Sequence, residues 1–153
     1  MIRIYIMRHG EAGYSALSDF NRSLTAVGQQ QCHLVGRWFK QQNIMIDLAL
    51  ISPYVRAQQS YAIVSEYIRV NKMENCSFLT PDSSAINLVN NINMLQLPDD
   101  SNVFLVSHLP LVGYLVNELC PHITPPMFSP ADVACISLSS DSQGQLEWFH
   151  RPL

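Results

Sequence analysis

Short apolar segments alternate with segments of helical period along this chain, and that alternation restricts the possible folds more than any other feature. Strand-like runs cover 2–7, 47–51 and 103–107, and a helical pattern follows each of them. The run at 103–107 is continuously apolar, which is typical of a strand covered on both faces of a sheet. We therefore predict an α/β fold with three layers, α/β/α, around a mostly parallel central sheet.

Apolar residues spaced by three or four predict the helices. Thr25 has the side chain of an N-cap, and Ser52 and Pro53 suit the N-cap and first position of the second helix. Two further helices are predicted at 84–97 and 111–119. The predicted buried stripe of the first helix is Val27, Leu34, Val35, Trp38 and Phe39. The predicted buried stripe of the second helix is Ala57, Tyr61, Val64 and Ile68.

The remaining strands are predicted from shorter patterns. The segment 76–79 is interpreted as a short strand. Two more strands, 133–138 and 145–149, flank the turn-forming segment 140–144, and we predict that they form an antiparallel hairpin at the edge of the sheet. Because no repeat, low-complexity tract or linker divides the chain, we predict a single domain over residues 1–153.

Composition excludes several classes of function. A content of 48% hydrophobic and 14% charged residues describes a globular chain, and the net charge of -3 without a basic run argues against a nucleic-acid partner. Apolar runs are far shorter than the roughly 20 residues that cross a bilayer, and no signal-peptide pattern is present, so we expect a cytoplasmic protein without membrane association. The cysteines lack metal or redox spacing and are interpreted as reduced core thiols: Cys32, Cys76, Cys120 and Cys135.

Reactive side chains follow three of the predicted strands. Arg8 and His9 follow the first strand, Arg56 lies in the first helical turn after the second, and His108 follows the central strand. Ligands of open α/β sheets bind at the carboxyl ends of the strands, where helix N-termini and arginine forks favour anions. Gly10 would let the backbone approach a ligand. The alternatives are a surface ion pair for Arg56 and a structural histidine at 108.

Several motifs in these segments resemble a known family. RHGE at 8–11, SPYVRAQQS at 52–60 and SHLPLVGYL at 107–115 are similar to motifs of the histidine phosphatase superfamily, also called phosphoglycerate mutase-like. The short length and further segments resemble the SixA-type phosphohistidine phosphatases within it. Those further segments are 19–25, 118–121 and 124–128. The resemblance implies a phosphoglycerate mutase-like fold and a hydrolase that needs neither metal nor other cofactor.

The resemblance also implies a mechanism. His9 would be the nucleophile that attacks phosphorus, which gives a phosphohistidine enzyme intermediate that water then hydrolyses. Arg8, Arg56 and His108 would neutralise the phosphoryl oxygens, because positioning and electrostatics supply most of the rate in phosphoryl transfer.

Further residues are predicted to bind the substrate. Arg22 matches an arginine of the family pattern, although Ser23 stands where a proline is common, and its alternative role is a loop-pinning ion pair with Asp19. Gly10 and Glu11 complete the predicted substrate-binding set.

The general acid is left open between Glu11, Asp82 and none, and Asp82 has the alternative of a plain turn residue. Since a protonated imidazole leaves readily, a missing acid favours a phosphohistidine substrate. With no long insertion between Arg56 and Val103 to form a lid, we hypothesise a monomeric enzyme that docks transiently on the histidine-phosphotransfer (HPt) domain of a hybrid sensor histidine kinase. The alternatives are a small-molecule phosphomonoesterase and a non-catalytic phosphoprotein-binding module.

Overall fold

A computed structural model describes residues 1–139 and 143–152, and the predicted turn at 140–144 lies partly outside them. Four helices pack on a six-stranded sheet. In chain order the elements are β1 (Ile2–Arg8), α1 (Ala26–Gln41), β2 (Ile46–Ile51), α2 (Val55–Ser65), β3 (Val70–Asn75), α3 (Ala85–Met94), β4 (Asn102–Ser107), α4 (Leu111–Leu119), β5 (Val133–Leu138) and β6 (Gln145–His150). Over the described ranges, no helix is both long enough and apolar enough to cross a membrane.

The strands lie in the order β3-β2-β4-β1-β5-β6. The first four of these are parallel, and β5 runs antiparallel to both of its neighbours. Arg8 of β1 lies opposite Ser107 of β4, and Ile51 of β2 lies opposite Val106. The carboxyl ends of β1, β2 and β4 therefore meet at one edge of the sheet, and the predicted mostly parallel sheet with antiparallel C-terminal strands is confirmed.

The sheet separates two hydrophobic cores, which confirms the three layers. Along β1, Ile4 and Ile6 belong to the core under α3 and α4, whereas Tyr5 and Met7 belong to the core under α1 and α2. This alternation follows from the pleat, which sends successive side chains to opposite faces. The four cysteines are free and buried in these cores, as the sequence predicted.

The predicted strand at 76–79 is wrong. The strand lies just before it, at Val70–Asn75, and Ser77–Leu79 forms a short 3-10 turn whose Leu79 is buried. As the edge strand of the sheet, β3 exposes a Lys72–Glu74 ion pair and lacks the apolar run expected of a central strand. An edge strand of this kind is hard to predict from hydrophobicity.

The predicted start of α2 is also wrong. The helix begins at Val55 with Tyr54 as its N-cap, so Ser52 and Pro53 precede it. Ile68 lies beyond its last residue, Ser65, although Ile68 still packs against the core. Thr25 does cap α1, since its side chain accepts a hydrogen bond from the backbone N–H of Gly28.

Two members of the predicted α1 stripe are misplaced, because Leu34 is only partly buried and lies outside both cores, and Val27 is exposed. Val27 is 56% exposed, whereas Val35 and Phe39 are fully buried. In the first turn of α1, Gly28 packs against the backbone of Glu11. The adjacent Val27 therefore points toward solvent.

We expect Gly28→Ala to lower the free energy of unfolding by about 1–3 kcal/mol, which is typical of overpacking. An added Cβ at Gly28 would lie 2.0 Å from the backbone oxygen of Glu11, so backbone must move. Urea denaturation measures the loss. Gly13→Ala is the matched control, since a Cβ at Gly13 meets nothing nearer than a Thr25 methyl group at 3.7 Å. Equal stability of the two variants would contradict the expectation.

Candidate active site

Backbone hydrogen bonds bring the ends of three parallel strands together. The N–H of His9 donates to the carbonyl of Ser107 at 3.0 Å, and the N–H of Ser52 donates to the carbonyl of Val106 at 3.0 Å. His9, Ser52 and His108 each follow the last residue of a strand, so the parallel register places them side by side.

His9 is fixed in one tautomer by two neighbours. Its Nδ1 lies 2.7 Å from the carbonyl oxygen of Gly10, and the Nε–H of Arg56 donates to its Nε2 at 3.2 Å. A guanidinium group only donates and a carbonyl only accepts, so Nδ1 carries the proton and Nε2 keeps its lone pair. His9 as a whole is 6% exposed. His9 therefore presents an unprotonated nitrogen to Arg56.

Arg56 is a buried cation in the first turn of α2, with its side chain 5% exposed. Besides the bond to His9, its Nη1 donates to the backbone carbonyl of Asp19 at 2.7 Å and its Nη2 to the Asp19 carboxylate at 3.2 Å. The guanidinium carbon lies 5.0 Å from the centre of the Tyr54 ring. Arg56 does form an ion pair, but it forms it while buried beside His9.

His108 packs beside His9, with ring centroids 5.1 Å apart. Its Nε2 lies 2.7 Å from the hydroxyl of Ser52, which also accepts a hydrogen bond from the N–H of Tyr54 at 3.3 Å. The Tyr54 ring meets the His108 ring edge-on at 5.0 Å. A hydroxyl has one proton and two lone pairs, so Ser52 can accept from Tyr54 and also donate to His108 Nε2; with that donation, Nδ1 of His108 carries the ring proton and is a donor.

The loop before β5 anchors Arg8. Its Nη1 donates to the carbonyl of Phe128 at 2.9 Å, and the N–H of Ala131 lies 3.0 Å from the His9 carbonyl oxygen and 3.1 Å from that of Arg8. Within the described residues, the buried side-chain nitrogens without a hydrogen-bond partner are Nε of Arg8 and Nδ1 of His108. Both belong to residues that the sequence predicted for the site.

Gly10 contacts His9, the predicted nucleophile, whereas the sequence predicted a close approach of its backbone to a ligand. Its carbonyl accepts from His9, and its N–H donates to the hydroxyl of Ser60 at 3.0 Å. A Cβ at Gly10 would lie 2.7 Å from the carbonyl oxygen of Gly28, so close packing against α1 requires glycine. These contacts indicate that Gly10 orients His9, while its substrate-binding role stays a prediction.

Arg22 and Glu11 contact the polar loop. Arg22 donates to the carbonyl of Gly13 at 2.8 Å and to the Asp19 carboxylate at 3.0 Å, which is the loop-pinning alternative. The Glu11 carboxylate accepts from the hydroxyl of Thr25 at 2.8 Å, at the N-terminus of α1. Binding of substrate by either residue stays a prediction.

Burial and positive charge keep both site imidazoles neutral. Burial lowers the pKa of His9 to about 4, and the charges of Arg56 and Arg8 act in the same direction. Burial, followed by His9 and Arg56, lowers the pKa of His108 as well. Protonation would add charge to a buried cationic cluster, so the uncharged, nucleophilic form of His9 persists into mild acid.

We expect the His9 ring to titrate near pH 4 rather than near an ordinary histidine's pKa of about 6.5. Because the folded-state pKa is lowered, the contribution of His9 to stability is complete above about pH 6.5 and is lost as the pH falls toward about 4. NMR titration of the ring resonances, assigned with a His9→Ala sample, measures the midpoint and the Nδ1–H tautomer. A midpoint at or above that of an ordinary histidine would contradict the expectation.

Some residues of the site were missed in the sequence. Ser52 was interpreted as a helix cap, but its hydroxyl contacts His108. Tyr54 lies between His108 and Arg56, and Phe128 anchors Arg8. Ser52 and Tyr54 lie inside the motif at 52–60, which was the available signal. For Phe128 the available signal was the segment 124–128, which resembles the SixA-type phosphatases, although nothing in it pointed to a contact with Arg8.

Comparisons with known proteins identify relatives of this chain. A model of the histidine phosphatase superfamily (branch 1) matches residues 4–76. Phosphohistidine phosphatase SixA of Escherichia coli (strain K12) is 36% identical over 152 residues, which cover 99% of this chain and 94% of that protein. A SixA homolog of Haemophilus influenzae is 40% identical over 141 residues, covering 87% of this chain and 86% of that protein.

A solved structure of a SixA protein has the same fold as this chain. The structure of the protein histidine phosphatase SixA complexed with tungstate superimposes with a TM-score of 0.92 at 36% identity, covering 98% of this chain and 97% of that chain. The similarity therefore extends over nearly the whole length of both chains.

Proposed function

This chain belongs to the histidine phosphatase superfamily, and on that premise we propose that it is a phosphohistidine phosphatase. The proposed substrate is a phosphorylated histidine of an HPt domain in a multistep phosphorelay. The observation that carries the proposal is the unprotonated Nε2 of His9, which accepts a hydrogen bond from Arg56, while Gly10 holds the ring through Nδ1 and His108 packs beside it. An imidazole in this state is a nucleophile for phosphorus.

In the first step, His9 Nε2 forms a bond to phosphorus while the phosphorus–nitrogen bond of the substrate breaks. The electron pair of the broken bond goes to the substrate ring, which carries a proton on its other nitrogen and leaves as neutral imidazole. The Nδ1–H of His9 stays bonded to the Gly10 carbonyl, so the phosphorylated ring is a cation whose charge faces an acceptor. The covalent intermediate is part of the proposal.

In the second step, water attacks phosphorus and the bond from phosphorus to His9 Nε2 breaks. The electron pair returns to Nε2, and both protons of the water leave with the product as dihydrogen phosphate, so no side chain has to accept one. The lowered pKa of His9 helps here, because a less basic imidazole is a better leaving group. A single neutral histidine thus serves both steps without its own general base.

Three donors are available for the oxygens of the transferring phosphoryl group. Nε of Arg8 and Nδ1 of His108 are buried and have no partner among the described residues, and Nε of Arg56 already faces the nucleophile. A buried donor without an acceptor is costly, and a phosphoryl oxygen would satisfy it. Donors fixed before the reaction stabilise charge that develops on these oxygens in the transition state.

The two candidate general acids, Glu11 and Asp82, each accept a hydrogen bond from a neighbouring threonine. The Glu11 carboxylate accepts from Thr25 at 2.8 Å, and that of Asp82 accepts from Thr80 at 2.9 Å within an exposed turn. We propose that no general acid is needed, because the leaving imidazole is already protonated on its remote nitrogen. This property separates a phosphohistidine from an alkyl phosphate ester, whose alkoxide needs a proton.

The short stretch of chain between α2 and β4 supports a protein substrate. Between α2 and β4 the chain contains only β3, a 3-10 turn and α3, so that stretch holds no separate lid. A phosphorylated side chain that projects from a folded partner could reach such a site. We propose a transient complex with an HPt domain of a hybrid sensor histidine kinase. A monomeric state, a cytoplasmic location and a single domain over 1–153 stay predictions.

The test is the release of phosphate from a phosphorylated HPt domain, compared with release from sugar phosphates and nucleotides at equal concentration. The proposal expects a kcat/KM for the phosphohistidine protein that is larger by at least about a hundredfold, since the esters need an acid that contributes typically 10²–10⁴-fold. A preference for the esters would instead identify a small-molecule phosphomonoesterase, the second candidate. Stable binding without release would identify a phosphoprotein-binding module.

A further inference from the structure

A carboxylate lies directly beside the cationic cluster. Asp19 Oδ2 accepts from Arg56 Nη2 at 3.2 Å, and Asp19 Oδ1 accepts from Arg22 Nη1 at 3.0 Å. Its backbone carbonyl accepts from Arg56 Nη1 at 2.7 Å. Residue 19 thus takes three hydrogen bonds from the side chains of two arginines, and two of them come from the one that contacts His9.

These contacts restrict the orientation of Arg56. The guanidinium group is planar, so holding both of its terminal nitrogens fixes the direction of the remaining Nε–H. That N–H is the one that meets His9 Nε2 at 3.2 Å. The Arg56 side chain is 5% exposed and that of Asp19 is 55% exposed, so the carboxylate holds the buried guanidinium group from the solvent side.

The charge of Asp19 acts against substrate binding. A carboxylate beside the cations that bind a phosphoryl dianion repels that dianion and neutralises part of their charge. A residue kept only to strengthen anion binding would not be acidic. Asp19 is therefore expected to lower the affinity for anions while it fixes the direction of the guanidinium group.

A role as general acid does not fit Asp19. The hydrogen bond from Arg22, and then that from Arg56, lower the pKa of its carboxyl group, so it is ionised at neutral pH and has no proton to donate. It can still accept hydrogen bonds, which is what its geometry shows.

We infer that Asp19 is a positioning residue: bonded to both terminal nitrogens of Arg56, it aligns the remaining N–H on the phosphoryl group at His9 and thereby favours the transition state over the bound ground state. This inference rests on the proposed function, because it assumes that phosphorus is attacked at His9 Nε2. Asp19 raises turnover while it weakens the binding of phosphate.

The test is a set of Asp19 variants assayed on the phosphorylated HPt domain, with inorganic phosphate as a competitive inhibitor. We expect Asp19→Ala to lower kcat by about 10–100-fold, the cost of a displaced catalytic group. The inhibition constant of phosphate should fall several-fold, since a repulsive charge is gone. Asp19→Asn, which keeps one oxygen acceptor, should retain more kcat than Asp19→Ala. Asp99→Ala, at the opposite edge of the sheet, controls for net charge.

A double-mutant cycle tests whether Asp19 acts through Arg56. In an Arg56→Ala background, Asp19→Ala should cause no further loss of kcat, because the group that it positions is missing. Additive losses would overturn the inference. A parallel loss of kcat and phosphate affinity in Asp19→Ala, with a lowered melting temperature, would also overturn it, since that pattern marks a purely structural residue.

Failure of the proposed function would look different. If the wild-type protein does not dephosphorylate the HPt domain, the substrate proposal fails, and the same variants are compared on whichever phosphate ester the wild type hydrolyses. The ratio of variant to wild type, and the opposite changes of kcat and phosphate affinity, still decide the role of Asp19.

Discussion

Replacing His9 with alanine is expected to reduce turnover of the phosphohistidine substrate by at least about a thousandfold, the scale on which a catalytic nucleophile contributes. Alanine removes the Nε2 lone pair that Arg56 contacts at 3.2 Å, so no phosphoenzyme can form. The remaining donors would still bind phosphate. We therefore expect a loss in kcat with little change in the inhibition constant of inorganic phosphate.

The measurement is release of phosphate from a phosphorylated HPt domain, together with trapping of an acid-labile, alkali-stable phosphoenzyme. His122→Ala is the matched control, because His122 is an exposed loop histidine outside the site. Wild-type turnover in the His9→Ala protein, or a phosphoenzyme that still forms in it, would contradict the nucleophilic role. A circular dichroism melt shows whether the variant is folded.

Replacing Arg56 with alanine is expected to reduce kcat by about 10²–10³-fold, comparable to the loss of one preorganised donor to a developing anion. Arg56 is buried and links His9 to Asp19, so its removal takes away a donor at the nucleophile and leaves the Asp19 charge near the phosphoryl group. Both changes oppose the transition state. Unlike the His9 variant, Arg56→Ala should also weaken phosphate binding.

Arg56→Lys separates charge from geometry. Lysine keeps the positive charge but lacks the planar fork that meets His9 and both acceptors of Asp19, so we expect it to restore phosphate affinity more than kcat. Arg37→Ala, which removes an exposed arginine of α1, is the control for net charge. Full activity in Arg56→Lys would show that only the charge matters, which would argue against the geometric role.

Arg56→Ala is also expected to change the titration of the His9 ring. Arg56 is one of the charges that lower the pKa of His9, after burial itself. Without that charge, the midpoint of the His9 ring should move upward toward the ordinary value while the ring stays buried. An unchanged midpoint in Arg56→Ala would mean that burial alone keeps the imidazole neutral.

Several features were predictable because they depend on local patterns. The continuous apolar run of β4 marks a strand covered on both faces, and it does lie at the centre of the sheet. The chain positions of His9, Arg56 and His108 each follow a strand, and parallel strands in register bring their carboxyl ends to one edge. The sequence therefore determined that His9, Arg56 and His108 would meet at the carboxyl ends of the parallel strands.

Other features were hidden because they depend on contacts between distant segments. The edge strand β3 carries no apolar run, since one of its sides has no neighbouring strand and its side chains are largely exposed. Ser52 looks like a helix cap in sequence, and only the folded chain brings it against His108, 56 positions away. The cap pattern and the site contact use the same hydroxyl, so sequence could not separate them.

The chemistry of the site was settled by tertiary structure. The tautomer of His9 depends on a carbonyl and a guanidinium that meet its two nitrogens, and the direction of Arg56 depends on Asp19, 37 positions away. Arg8 is anchored by a carbonyl 120 positions away. Sequence alone supplied the reactive groups and their edge of the sheet. The protonation states and orientations of these groups depend on the tertiary structure. Hydrogen-bond geometry follows from side-chain and loop conformations that no local sequence pattern encodes.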